Sequence, residues 1–275
     1  MKKTLNKVFV LGNGESRKTL NLNVLKTKGK VYGCNAIYRD SVVDALSVVD
    51  GGMMHEVYSS GYALNNKCYF RSFEKLPEFA YEPLISGLSD NFKDWGDAYH
   101  IENEKGNRTQ FVLNGTDPQQ MQRLYEHLLE QGKDEEYLKM FLSKHHQWVT
   151  WTEDKDEVEI IPQEWSGWSA GPIAVRMALE KEKPDEVYLI GFDLDSVDGK
   201  INNVYKDTEN YLASDAPVTP SVNWIQQHSV NFRDFPNVKF YKVNTPELDY
   251  EIDEWSDFEN VVYILQKHLD LLDVM

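Results

Sequence analysis

The chain has 275 residues, 41% hydrophobic and 27% charged, with a formal net charge of −16. This describes a globular chain of one large domain, or one domain with a sizeable insertion. No apolar run approaches the ~20 residues that cross a bilayer. The lysine-bearing N-terminus lacks an apolar signal core, and two cysteines make neither a disulfide framework nor a zinc site. A cytoplasmic protein with no membrane partner and two buried thiols, Cys34 and Cys68, is expected.

The first strand is expected at residues 7–12. It runs into Gly12-Asn13-Gly14, followed by Glu15, Ser16 and the basic pair Arg17-Lys18. Glycines allow a tight turn and close approach of a ligand, and bare N–H groups there can face a phosphate. Residue 17 is Arg, so the dinucleotide fingerprint is incomplete, and no Gly-Lys-Ser/Thr completes a Walker loop. Strands follow at 30–34, 45–50 and 68–71, with a helix at 53–59.

Residues 84–165 break this rhythm and are read as a helical insertion, a lid that shapes the acceptor pocket. It has helices at about 118–131, where Pro118 follows Asp117, and about 134–146. His145 and His146 are adjacent and point apart on a helix, which disfavours a metal pair. The Asn-x-Thr sequons at Asn107 and Asn114 mean little without a secretory signal. Helix 171–183, strand 186–194, helix 221–232, strand 238–243 and an amphipathic helix 256–272 complete the chain. The alternation implies a single α/β domain, Rossmann-like and doubly wound, with a mostly parallel sheet that binds ligand at its carboxyl edge.

That edge collects Asn13, Asn35, Asp50 and the run Gly191-Phe192-Asp193-Leu194-Asp195. Carboxamides that both donate and accept suit a base, a ribose or a sugar hydroxyl. Trp165-Ser166-Gly167-Trp168-Ser169-Ala170-Gly171 precedes the 171–183 helix. Ser169 can cap that helix or face a phosphate, and the tryptophans either stack on a ligand or pack the core. Asp193-x-Asp195 has the form that holds a divalent cation on a diphosphate, so such a cofactor stays open.

Residues 1–30 carry eight basic side chains against Glu15 alone, a net of +7, which leaves −23 for the remainder. A positive zone around the turn favours an anionic ligand. The seven acids of residues 247–259, with no base among them, read as a solvated surface.

Leu-Gly-Asn-Gly-Glu-Ser near the start, Gly-Cys-Asn-Ala-Ile-Tyr after it, Ser-Ala-Gly before a helix and Val-Tyr-Leu-Ile-Gly-Phe-Asp beyond it resemble the bacterial sialyltransferases of glycosyltransferase family 42. Related patterns occur in bacteriophage sialyltransferase-like proteins and in pterin pyrophosphokinase-like proteins. The resemblance covers about 1–72 and 165–245. It implies that Asn13, Gly14 and Asn35 contact an activated sugar nucleotide and that Ser169 and Gly171 contact its nucleotide. The family's catalytic histidine falls where this chain has none, in Asn210–Asn223. A nucleotide-sugar transferase with a donor other than activated sialic acid is therefore expected.

Its donor site is assigned to Gly12, Asn13, Gly14, Ser16, Arg17, Asn35, Ser169, Gly171 and Asp193. The catalytic base is sought first at Asp215, then at Asp50 and His228. The acceptor is a surface glycan or a hydroxymethylated base in phage DNA, and homo-oligomerisation stays open. Pyrophosphoryl transfer and a non-catalytic nucleotide-binding module are the alternatives.

Overall fold

The computed structural model describes residues 5–71, 73–87, 99–101, 104–115, 118–142, 147–153 and 155–269. The chain divides into two compact units, one of Met1–Val48, Asn66–Tyr69 and Gln163–Met275, the other of Val49–Asn65 and Phe70–Pro162.

In the first unit lie β1 (Lys7–Leu11), β2 (Lys30–Cys34), β3 (Ala45–Val48), β4 (Cys68–Phe70), β10 (Glu186–Ile190), β11 (Lys239–Asn244) and β12 (Val261–Leu265). Their order is β12-β11-β10-β1-β2-β3-β4. The pairings from β12 across to β3 are all parallel. The chain steps outward from β1 to β4, then returns beside β1 at β10 and steps outward the other way. That reversal makes the β1/β10 boundary the topological switch point of a doubly wound α/β sheet.

Val8, Phe9, Val10 and Leu11 are all buried, as a central parallel strand covered on both faces requires. Phe9, Tyr188 and Tyr241 stack in a row across β1, β10 and β11, with ring centroids 4.9 and 4.8 Å apart. Helix α6 (Ala170–Glu182) packs on β1, β2 and β3 and against α7 (Val222–Asp234). The short α1 (Leu22–Lys26) is capped by the Asn21 side chain, which accepts the Asn23 N–H.

The expected closing helix at 256–272 is corrected. Residues 261–265 form β12, paired in parallel with β11 from Phe240↔Val261 to Asn244↔Leu265. Val261, Val262 and Ile264 are β-branched, and strand propensity with an available sheet edge outweighs the helical periodicity. Residues 270–272 of that expectation lie outside the described residues.

The second unit contains α2 (Gly51–Ser59), α3 (Tyr81–Ser86), β5 (Glu74–Pro77), β6 (Tyr99–Ile101), β7 (Gln110–Gly115), α4 (Pro118–Glu130), α5 (Glu135–Leu142), β8 (Gln147–Thr152) and β9 (Val158–Ile160). The helices expected near 118–131 and 134–146 are present as α4 and α5, and residues 143–146 of the second expectation lie outside the described residues. The unit also builds a sheet of order β5-β7-β8-β6, which the helical reading of this region did not anticipate. Alternation on β7 and β8 separates two faces. Phe111, Leu113, Val149 and Trp151 pack with Leu76, Tyr81 and Leu84. Val112, Asn114 and Thr150 have the opposite parity, and the Thr150 hydroxyl bonds Nδ1 of His55 on α2.

Candidate functional site

At the switch point the exits of β1 and β10 touch. Gly12 N–H donates to the Ile190 carbonyl at 2.8 Å, and Gly14 N–H to the Gly191 carbonyl at 2.8 Å. A Cβ on Gly14 would overlap the Asp193 carboxylate and approach the Gly191 carbonyl oxygen to 2.7 Å. Gly191 itself turns at φ 72°, open to glycine at little cost. The glycines thus serve backbone-on-backbone packing.

Three further donors of the turn are engaged by protein. Glu15 N–H bonds the Asn202 Oδ1 at 2.8 Å, Ser16 N–H bonds Asp193 Oδ2 at 3.0 Å, and the Ser16 hydroxyl bonds Asp193 Oδ1. Asp193, 3% exposed, occupies the place expected for a phosphate. Its partner in the Asp-x-Asp pattern diverges, because Leu194 between them sits at φ 57° and Asp195 accepts the Ser196 N–H at 2.7 Å. Among the described residues no three His, Cys, Asp or Glu side chains cluster to hold a metal. The pattern therefore does not fit a divalent cation here.

Arg17 is buried and also engaged. Its Nη2 donates to Asp40 Oδ2 at 3.0 Å and to the Tyr205 hydroxyl at 2.7 Å, while Tyr205 donates to the same Asp40 oxygen at 2.7 Å. Burial drives the Tyr205 phenol upward in pKa, with Arg17 opposing, so it stays protonated.

Asn13 and Asn35 stand at the ends of neighbouring strands. Asn13 Nδ2 donates to the Tyr211 hydroxyl at 3.2 Å, and Ala36 N–H reaches the same oxygen at 3.3 Å. Asn13 Oδ1 and Asn35 Oδ1 are each buried with no hydrogen-bond partner. Asn35 moreover has φ 50°, an uncommon backbone state associated with functional positions. Two buried acceptors left unpaired cost roughly 1–3 kcal/mol each unless a ligand supplies donors.

Tyr205 and Tyr211 belong to a strap, residues 195–221, from which sequence reasoning had drawn Asp215 as a site residue but neither tyrosine. Val204 N–H bonds the Asn13 carbonyl at 2.9 Å, and Arg39 donates to the Thr208 hydroxyl at 2.8 Å and the Glu209 carbonyl at 3.2 Å. Arg39 lies over both tyrosine rings, 5.7 and 5.8 Å from their centroids. Nothing in a loop of irregular spacing announces these contacts.

The remaining expected residues are placed as follows. Ser169 is the N-cap of α6 but makes no side-chain cap bond; its N–H donates to Gln227 Oε1 at 2.9 Å. Gly171 is required by Phe192, whose ring would lie 2.8 Å from an added Cβ. Trp165 stacks on the Arg176 guanidinium, 3.9 Å from its ring centroid, so its packing role is filled within the protein. Asp215 is exposed on the strap beside the Lys200↔Pro217 bridge.

His228 is fully buried among Phe192, Phe232 and Trp255, and neither ring nitrogen has a partner. Desolvation, aided by Lys242, pushes its pKa down to about 3, so it is a neutral core residue that solvent does not reach. Asp50 lies in the second unit, at the N-cap of α2. It keeps accessible surface, yet the protein around its carboxyl raises the pKa, with Arg71 opposing. His145 and His146 lie outside the described residues.

Sequence reasoning also missed Lys242 and Asn114. Lys242 is 1% exposed on β11, donates to Asn244 Oδ1 at 2.6 Å, and is lowered to about 8 by burial, with Asp193 opposing. Its strand parity with buried Phe240 was the available signal. Asn114 is 3% exposed, and neither amide atom has a partner.

The fold is that of a doubly wound, Rossmann-like α/β protein. No described helix is long and apolar enough to cross a membrane. No family model, curated protein or solved structure matches the chain.

Proposed function

We propose that the protein is a glycosyltransferase that binds a nucleotide-activated sugar at the carboxyl ends of β1 and β2 and transfers the sugar to an acceptor hydroxyl. The observation that carries the reading is the pair of buried, unpartnered oxygens of Asn13 and Asn35. Such acceptors call for a ligand rich in N–H or O–H donors, which a sugar nucleotide provides and a bare phosphate does not. The family 42-like motifs fall on these same two asparagines, which supports the reading independently of the hydrogen-bond inventory.

The chemistry is displacement at the sugar carbon by the acceptor oxygen. The bond to the leaving phosphate breaks, and the acceptor proton passes to a base. Asp215, exposed and on the strap, is the candidate base in the first unit, since His228 is sealed and neutral. Arg39, over both strap tyrosines, supplies positive charge to the leaving phosphate.

A glycan acceptor is favoured over hydroxymethylated DNA. Three of the eight N-terminal basic side chains, including the two that flank the turn, are paired within the protein, with Arg17 on Asp40, Lys18 on Glu15 and Lys30 on Asp44. Cations already paired offer less to a polyanion.

The test is calorimetry with a panel of nucleotide sugars, together with donor hydrolysis in the absence of acceptor. Binding and slow hydrolysis of one donor by the wild type, with affinity reduced in Asn13→Ala, support the reading. Binding without turnover under any acceptor would leave the non-catalytic module instead. Pyrophosphoryl transfer to a small alcohol would establish the other alternative.

A further inference from the structure

Backbone strain concentrates beside the site. Of the five described non-glycine residues with left-handed backbone, Leu194 (φ 57°), Asp207 (φ 65°) and Asn210 (φ 63°) lie between β10 and α7. A bulky leucine in that state costs on the order of 1 kcal/mol or more and persists only when its surroundings hold it there. Leu194 and Asn210 both line a cavity of about 200 Å³, together with Asp195, Ile201, Tyr211 and Trp224.

The turn at Leu194 sorts the two neighbouring aspartates. Asp193 faces Ser16, whereas Asp195 joins the cavity wall. One Asp195 oxygen accepts the Ser196 N–H at 2.7 Å, which leaves the other for a ligand hydroxyl. Asn202 ties this wall to the first turn, donating to the Asp195 carbonyl at 2.9 Å and accepting the Glu15 N–H at 2.8 Å. Tyr211 is common to the cavity and to the asparagine pair, since its hydroxyl meets Asn13 and Ala36.

Size and chemistry select the occupant. Pockets for drug-sized ligands span roughly 300–1,000 Å³, so this one takes a single ring. An indole beside aliphatic Leu194 and Ile201 suits the apolar face of a sugar ring, and a carboxylate oxygen suits its hydroxyl. Asp195 and Lys206 both line the cavity, and Lys206 also pairs with Glu15 at 3.2 Å, so opposite charges offset on the wall and a ring without a charge of its own is favoured.

We propose that this cavity is a binding site for the pyranose ring of a neutral sugar, stacked on Trp224 and hydrogen-bonded through a ring hydroxyl to Asp195. Its assignment as the acceptor subsite rests on the transferase reading; the sugar site itself does not.

The experiment is ¹⁹F NMR of the full chain labelled with 5-fluorotryptophan, with the Trp224 resonance assigned from Trp224→Phe. Methyl β-glucoside, methyl β-galactoside and N-acetylglucosamine are titrated, alongside cytidine and uridine, with no nucleotide sugar present. The Trp224 resonance is expected to shift saturably with at least one sugar. Asp195→Asn, which keeps the shape of the side chain, is expected to weaken that binding about tenfold or more. A resonance unmoved by all three sugars, one moved by a nucleoside instead, or unchanged affinity in Asp195→Asn would each overturn the proposal. A saturable sugar shift in a protein that turns over no donor would sink the transferase reading and leave this site standing. Donor turnover without the shift would do the reverse.

Discussion

The carboxylate of Asp193 closes on Ser16, taking its backbone N–H at 3.0 Å and its hydroxyl as well. A side chain from the β10 exit thereby caps the first turn after β1. Asp193→Ala is expected to lower stability by about 1–2 kcal/mol, the usual loss of an N-capping group. Gly14→Ala is expected to cost more, because its Cβ meets both that carboxylate and the Gly191 carbonyl. The Gly14→Ala, Asp193→Ala double variant should lose less than the sum, since removing the carboxylate relieves part of the clash. Urea titrations of the four proteins check this, and strict additivity would mean the two groups do not meet.

Asn35 combines φ 50° with a buried, unpartnered Oδ1. Asn35→Gly should change stability by less than about 1 kcal/mol, because glycine accepts that backbone and removes the unpaired oxygen. Nucleotide-sugar affinity should nevertheless fall about tenfold. Thermal melts and calorimetry separate the two effects. A large loss of stability with donor affinity intact would make Asn35 a structural residue only.

Asp215→Asn is expected to lower turnover by ~10²-fold or more while leaving donor affinity unchanged, the signature of a base that acts on the acceptor. Its exposure means that stability should barely move. Single-turnover kinetics on saturating donor provide the measurement, and near-normal turnover would remove Asp215 from the mechanism.

Most of the central sheet was legible because its inner strands each carry their own signal. Val8–Leu11, Val31–Cys34 and Val187–Ile190 are short apolar runs ended by Gly or Asn, and parallel strands buried on both faces read that way. Residues 261–265 misled because a five-residue strand among helix-compatible neighbours has no periodicity of its own. The Gly12-Asn13-Gly14 turn at the end of β1 was legible, but the partners of its N–H groups were not. Whether an N–H is bare depends on Asn202 and Asp193, which lie 187 and 177 residues away. Tyr205 and Tyr211 were invisible for the same reason, since only the folded strap carries them to Arg17 and Asn13.

Asn114 is buried in the second unit with both amide atoms unpartnered, and its Oδ1 lies 2.8 Å from where a Gly51 Cβ would stand. Burial also makes its Asn-x-Thr sequon a poor glycan acceptor. Replacing an unsatisfied buried amide by an apolar group of similar volume removes a desolvation cost. Asn114→Leu should therefore raise stability by about 1–2 kcal/mol, read as a higher urea midpoint at unchanged m-value. A lower midpoint would show that the amide is paired in solution.

His228 gives the pH prediction. Its folded pKa is about 3 and its ordinary value is 6.5, because an aromatic shell desolvates the imidazolium and Lys242 repels it. The folded state therefore binds fewer protons than the unfolded chain between these values. Stability from this group is fully present above pH 6.5 and is lost as pH falls toward 3, at about 1–2 kcal/mol per pH unit. Many carboxylates titrate in the lower part of this window, so the informative quantity is the difference from a variant without the imidazole. His228→Leu keeps the site apolar and should show a flatter stability profile from pH 6.5 to 5, where most carboxylates remain ionised. Urea midpoints for the two proteins across that range settle the matter. Parallel profiles would mean that His228 takes up a proton in the folded state and is not sealed from solvent.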